Sequence, residues 1–318
     1  MTENARIAAA LRPLQPGDRC ALISPSGASE EEAIAKGEDL LRSWGLVPVR
    51  APHVADRHAR ADYLAGADED RAADLTWAWT DPEISGVFCV RGGYGAIRVL
   101  DHLDPEALAA ATPKPLFGSS DITALHEYWQ QHLGVPTWFT PMIATGDLLN
   151  SPENVDALRR AVLGDGPLEV ASDLETATLV PGVAHGELTG GNVSLLAMST
   201  GSHPGTRTRA EGRIVLLEEI HESAYRLDAL MQILLRSGYF DGAAAVGLGT
   251  WVDCGPVEDI RALMEELLSP LGIPVVWGLR FGHGARVSSF PIGCGLTATL
   301  TADDQPRLVF DRVDARSA

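Results

Sequence analysis

Four short stretches carry residue types that could do chemistry. The first is Lys114-Pro-Leu-Phe-Gly-Ser-Ser-Asp-Ile-Thr123, an apolar run that stops at Gly118 and hands over to a helical pattern. A strand-to-helix turn tightened by glycine can hold a serine hydroxyl clear of a sheet edge, while the first helical N–H groups point at whatever binds there. Ser119, Ser120 and Asp121 occupy that turn, which suits an activated serine and equally suits a plain helix cap. The second stretch, Arg213-Ile-Val-Leu-Leu-Glu-Glu219, is an apolar strand ending in Glu218 and Glu219, whose charges are costly at a buried strand end without a partner. The third is Gly278-Leu-Arg-Phe-Gly-His-Gly284. Its His283, flanked by Gly282 and Gly284, is placed for access and so for proton transfer, although an exposed loop histidine without a task reads the same way.

The fourth stretch is Arg91-Gly-Gly-Tyr-Gly95, at the end of an apolar strand. Glycines there let backbone N–H groups approach a ligand closely, or simply make a tight turn that needs positive φ. The order Gly-x-Gly-x-x-Gly and the Lys-Ser/Thr of a phosphate loop are both missing, so a dinucleotide-dependent oxidoreductase is disfavoured and no cofactor is expected.

The elements that must position these residues alternate. Strands are expected at Cys20 to Ser24, Leu46 to Val49, Ile84 to Val90, Leu116 to Phe117 and Val135 to Thr140, with helices from Ser29 to Gly45, near Asp70 to Trp79, and after Ser120, where Ile122, Leu125, Trp129 and Leu133 form an apolar stripe. Strand, helix, strand with short links is the signature of a parallel sheet with crossover helices. A stretch rich in Pro, Gly and acidic residues, with one helical piece near Val155 to Leu163, separates this half from a second. There Gly186 to Asn192 leads into a helix-like stretch to Met198. Strands at Arg213 to Glu219, Ala243 to Leu248 and Ile273 to Trp277 then alternate with helices at Ala224 to Arg236 and Pro256 to Leu268. Cys294 to Leu300 and Pro306 to Phe310 alternate like a terminal hairpin. The expected division is 1–150, a connecting segment 151–184, and 185–318.

The 318 residues suffice for two domains, and 45% hydrophobic residues suffice for a core. A net charge of −18 argues against nucleic acid or an anionic membrane surface as partner. Cys20, Cys89, Cys254 and Cys294 lie far apart without a Cys-x-x-Cys pair, so reduced thiols are expected and neither a zinc site nor a disulfide framework. Residues 1–16 hold no apolar core of signal-peptide length, and a soluble cytoplasmic protein is the expectation.

Taken in order, Arg91-Gly-Gly-Tyr-Gly95, Gly118-x-Ser120-Asp121, Leu217-Glu218-Glu219-Ile220 and Phe281-Gly-His283, supported by Pro141-Met142, Gly190-Gly-Asn192 and Tyr225-Arg226, resemble the LD-carboxypeptidase family of serine peptidases. That family includes muropeptide LD-carboxypeptidases and microcin C self-immunity carboxypeptidases. The resemblance spans about Leu14 to Phe310 and implies an α/β protein: a parallel-sheet, flavodoxin-like N-terminal domain, a mixed α/β C-terminal domain, and an active site in the cleft between them. It implies a metal-independent triad of Ser120, His283 and Glu218. The family usually shows an aromatic residue where this chain has Ser119, and the nucleophile falls on the serine immediately before Asp121. The Asp121 N–H at the helix start is a natural oxyanion donor, and a second from Gly92 or Gly93 follows the family pattern too. Arg91, by charge and position, and Tyr94 are candidate substrate contacts. The implied substrate is a small peptide, either a muropeptide losing its terminal D-alanine or a peptidyl nucleotide, handled by a homodimer. For the nucleotide, Trp251 could stack on a base or could simply pack. A catalytically silent carboxylate-binding protein is the rival outside enzymology, and it has no need of the trio.

Overall fold

A computed structural model describes residues 1–165, 169–173, 175–201 and 209–311, so 166–168 and 174 of the expected connecting segment, and 202–208 and 312–318 of the second half, lie outside the described residues. The first half runs α1 (Glu3–Leu11), β1 (Arg19–Ile23), α2 (Glu31–Ser43), β2 (Val47–Arg50), α3 (Asp68–Thr80), β3 (Gly86–Cys89), α4 (Ala96–Val99), α5 (Pro105–Ala110), β4 (Leu116–Gly118), α6 (Thr123–Tyr128), β5 (Thr137–Phe139) and α7 (Gly146–Leu149). All four residues of β3 and the last four of β1 are buried, as expected for strands covered on both faces. The five strands are parallel, in the spatial order β2-β1-β3-β4-β5. The winding therefore reverses between β1 and β3.

The second half runs α8 (Pro152–Leu163), β6 (Glu169–Val170), β7 (Ala177–Val180), β8 (Gly182–Asn192), α9 (Val193–Ser199), β9 (Ile214–Ile220), α10 (Ala224–Ser237), β10 (Ala245–Val252), α11 (Val257–Leu268), β11 (Val275–Trp277), β12 (Phe290–Ala302) and β13 (Arg307–Phe310). Strands β8 to β11 are parallel neighbours, with β7 antiparallel at their outer edge. The expected terminal hairpin is present as β12 and β13, but its first strand starts earlier than its alternation suggests. Phe290 to Ile292 pair with β5, and after an irregularity between Gly293 and Thr297 the same strand pairs with β8. One strand thus joins both halves into a continuous, mostly parallel sheet of 13 strands.

Three clusters make the core. The first gathers β1, β3 and the helices around them, and includes Leu158, Ala161 and Val162 of α8. The second lies under α9, α10 and α11. The third is built around Phe139, Phe281, Phe290 and Phe310, where Phe139 stacks on Phe290 at 5.4 Å and meets Phe281 edge-on at 6.1 Å. Phe281 is thereby fixed between strands of both halves, two residues ahead of His283.

The stripe Ile122, Leu125, Trp129 and Leu133 is buried as its spacing predicts. Its helix is not amphipathic toward solvent, because Thr123, His126, Glu127 and Gln130 are buried as well. The second half covers that polar face: Thr189 Oγ1 donates to Glu127 Oε1 at 3.0 Å, Arg213 Nη1 donates to Gln130 Oε1 at 3.0 Å, and Asn192 N donates to Thr123 Oγ1 at 3.0 Å. Gly191 permits the last contact, since a Cβ there would sit 2.4 Å from Thr123 Oγ1.

Candidate active site

Strand β4 ends at Gly118, where a Cβ would come within 2.9 Å of Ile122 Cγ1. Ser119 is extended and buried, whereas Ser120 is partly exposed with φ of 58°, in the left-handed region that non-glycine residues occupy only when their surroundings dictate it. Those surroundings are specific. His126 Nε2 donates to Gly118 O at 3.1 Å, and Thr137 Oγ1 donates to His126 Nδ1 at 2.8 Å. Full burial, only partly offset by the Gly118 contact, lowers the His126 pKa to about 4, so it braces the strand end as a neutral ring. Asp121 Oδ2 accepts the Ala96 N–H at 2.7 Å, tying the serine turn to the end of the glycine turn. Burial holds that carboxyl above its usual range, with the Ala96 N–H and Arg71 acting against the rise.

The glycine turn needs positive φ, as one of its two readings had it, and it also packs closely on the serine. Gly93 and Gly95 have φ of +101° and +134°, and Gly92 lies against the serine, where a Cβ would be 3.1 Å from Ser120 Cβ and 3.3 Å from its Oγ. The Gly27 N–H donates to Gly92 O at 2.9 Å and anchors the turn from behind.

Glu218 is wholly buried in β9, and its Oε2 meets His283 Nδ1 at 2.6 Å. Thr250 Oγ1 accepts the His283 N–H at 2.9 Å. Gly282 makes the approach possible, with φ of +113° and a hypothetical Cβ 2.5 Å from Thr250 Oγ1 and 2.8 Å from Glu218 Oε2. Burial works against an imidazolium here, but the charge and hydrogen bond of Glu218, helped by Asp147 and Glu219, outweigh it and lift the His283 pKa to about 9. With Nδ1 committed to the carboxylate, Nε2 is the ring atom left to exchange a proton. Glu219 is braced differently: it accepts from Asn192 Nδ2 at 2.6 Å, Ser194 N at 2.8 Å and its neighbour Ile220 N at 2.9 Å. Burial first, and then Glu218, raise its pKa.

Sequence reasoning passed over two residues that hold the histidine loop. Asn154, fully buried in α8, donates to Gly284 O at 2.8 Å and Asp147 O at 2.7 Å and accepts from Val287 N at 2.9 Å. Asp147 Oδ2 accepts the Gly284 N–H at 2.9 Å. A Ser151-Pro152 helix start was the only signal nearby, and it announces a helix rather than a clasp.

Ser120 and His283 line one cavity of about 660 Å³, together with Gly92, Gly93 and Arg91 from the first half and Asn192 from the second. Its volume lies within the usual range for a small-molecule site. Among the described residues no hydrogen bond joins Ser120 Oγ to His283, although both line the cavity. Tyr94 does not line this cavity but an adjoining one, to which Arg91 and Gly93 also belong. Trp251 stacks on Trp277 at 6.0 Å with planes 4° apart, which gives it a packing role outside the Ser120 cavity. Chemically, a hydroxyl on a strained turn, an imidazole oriented by a buried carboxylate, and glycine backbone beside the hydroxyl can support acyl transfer.

Known proteins share this arrangement of chain. Residues 20–140 match the LD-carboxypeptidase N-terminal domain and residues 185–299 the LD-carboxypeptidase C-terminal domain. A Streptomyces coelicolor relative that carries the carboxypeptidase name provisionally is 45% identical over 295 residues, covering 91% of this chain and 94% of its own. The murein tetrapeptide carboxypeptidase of Pseudomonas aeruginosa is 33% identical over 298 residues, covering 88% and 92%. Among solved structures, the muramoyltetrapeptide carboxypeptidase of Oxalobacter formigenes superposes with a TM-score of 0.73 at 27% identity over 92% of this chain and 99% of its own. The microcin C7 self-immunity protein MccF, bound to glutamyl sulfamoyl guanosine, shares the fold with a TM-score of 0.79 at 20% identity over 96% and 99%.

Proposed function

Since this chain belongs to the LD-carboxypeptidase family, we propose that it is a serine carboxypeptidase that removes the terminal D-alanine from a muropeptide tetrapeptide by a Ser120-His283-Glu218 triad. The observation that carries the reading is the 2.6 Å contact of His283 Nδ1 with buried Glu218, on the wall of the cavity that Ser120 enters from its left-handed turn. Neutral His283 takes the proton from Ser120 Oγ as that oxygen attacks the carbonyl carbon, and then gives it to the leaving amine of D-alanine. Water, deprotonated by the same ring, releases the acyl group. The developing oxyanion is met by the Asp121 N–H and by Gly92 or Gly93. Arg91 and Tyr94 contact the substrate. The family resemblance extends the reading to a homodimer acting in the cytoplasm on recycled cell-wall peptides, with the site in a cleft between domains that divide near residues 151–184.

The alternative substrate, a peptidyl or aminoacyl nucleotide, rests on a shared fold with MccF; Trp251, considered for its base, stacks on Trp277 and does not line the Ser120 cavity, which favours the muropeptide. Mass-spectrometric detection of D-alanine released from a purified tetrapeptide tests the reading, with Ser120→Ala as control. Release by the unaltered chain alone is expected. Cleavage of an aminoacyl sulfamoyl nucleotide in its place would transfer the same triad to the alternative, and binding of both without turnover would favour the silent protein.

A further inference from the structure

We propose that a second cavity, beside the Ser120 cavity, is a subsite for the arm of the peptide that lies on the N-terminal side of the cleaved bond. This assignment rests on the carboxypeptidase reading above. The cavity, of about 620 Å³, shares Arg91 and Gly93 with the catalytic one, so a chain of a few residues can pass from one to the other.

Its place in the fold is one where parallel sheets bind ligands. The strand order β2-β1-β3-β4-β5 reverses winding between β1 and β3, and crossover helices leaving to opposite faces open a crevice at the carboxyl ends of those two strands. Gly27, Ala28 and Glu30 follow β1, and Arg91, Gly93 and Tyr94 follow β3; all line the cavity. Its remaining wall, with Arg57, Asp62 and Tyr63, comes from the segment between β2 and α3.

The lining is suited to a short zwitterionic peptide end. Tyr63 and Tyr94 leave 53% and 38% of their surface exposed, with ring centroids 6.3 Å apart, offering two flat apolar faces in water. Glu30 is matched by Arg57 at 2.6 Å, which leaves Arg91 and Asp62 as the charges to read a ligand. Arg91 spends one donor on Ala28 O at 3.1 Å, and the rest of its planar guanidinium remains for a carboxylate. A free carboxylate in the arm would meet Arg91, and an amino terminus would meet Asp62.

The test compares two substrates that share the cleaved bond, the tetrapeptide L-Ala-γ-D-Glu-L-Lys-D-Ala and the truncated N-acetyl-L-Lys-D-Ala. The unaltered enzyme should prefer the longer one, and Tyr63→Ala should lower the ratio of their kcat/KM values by about tenfold, through KM. Tyr63→Phe, which keeps the ring, should preserve the ratio. An unchanged ratio in Tyr63→Ala would overturn the subsite, as would equal losses on both substrates. Calorimetry with the tripeptide L-Ala-γ-D-Glu-L-Lys needs no chemistry: binding that Tyr63→Ala weakens supports the subsite even if neither substrate is cleaved, an outcome that would sink only the carboxypeptidase reading. Absence of tripeptide binding to the unaltered chain would overturn the subsite.

Discussion

The serine turn and the histidine loop face one cavity, yet they are held in place by different physics. Ser120 is positioned by backbone: a left-handed φ of 58°, glycines at 92 and 118 that admit close packing, and a neutral His126 bonded to Gly118 O. His283 is positioned by charge and by side-chain hydrogen bonds, through Glu218, Thr250, Asp147 and Asn154. Two buried or nearly buried imidazoles therefore sit at opposite ends of the scale, about 4 for His126 and about 9 for His283. The first serves geometry and must stay neutral. The second, in the proposed mechanism, exchanges a proton and so has to change charge.

Removing the charge from the histidine side should break the contrast most severely. Glu218→Gln keeps the size of the side chain but no longer favours an N–H at Nδ1 or an imidazolium, so kcat should fall by roughly 10³–10⁴-fold while the fold persists. In the unaltered enzyme the base must be neutral to act, so kcat/KM should climb with pH until about 9. In Glu218→Gln the residual activity should reach its plateau at lower pH. A pH–rate profile that is flat from 6 to 9 in the unaltered enzyme would contradict this account of His283.

Loosening the loop without touching its charge is a milder break. Asn154→Ala removes the amide that spans Gly284 and Val287 and leaves their groups unpaired, so steady-state kinetics should show a drop of about 10–100-fold in kcat with little change in KM. Chemical denaturation should show a loss of about 1–3 kcal/mol. A normal kcat would mean that Phe281, Thr250, Glu218 and Asp147 hold the loop without the Asn154 amide.

The smallest effect is on stability against pH. His283 has a folded pKa raised above the ordinary 6.5, so its contribution is complete below 6.5 and is lost as pH rises through about 9. His126 has a folded pKa depressed below 6.5, so its contribution is complete above 6.5 and is lost as pH falls through about 4. Melting temperatures should therefore decline on both sides of the neutral range, and His283→Gln should flatten the alkaline side only.

Much of this was legible in sequence because parallel strands and their helices are written in local pattern. Gly118 announced the serine turn, and Gly282 with Gly284 announced an accessible loop, because glycine marks places where the backbone bends unusually or is approached closely. The bridging run of β12 was not legible, because its partners β5 and β8 are remote in the chain and no local pattern reports them. Asn154 was missed for the same reason: its bonds reach across 130 positions to Gly284, while its neighbours spell only a helix start. The burial of Glu127 and Gln130 was hidden too, because the helical stretch 122–133 looks amphipathic until the second half of the sheet covers its polar face.

The central claim is that Ser120, driven by His283, is the nucleophile. A fluorophosphonate that reacts with activated serines, followed by peptide mass spectrometry, tests it most directly. The adduct should fall on Ser120, and His283→Ala should slow its formation by orders of magnitude without shifting its place. An adduct on Ser119, or labelling of Ser120 at the same rate in His283→Ala, would contradict the account.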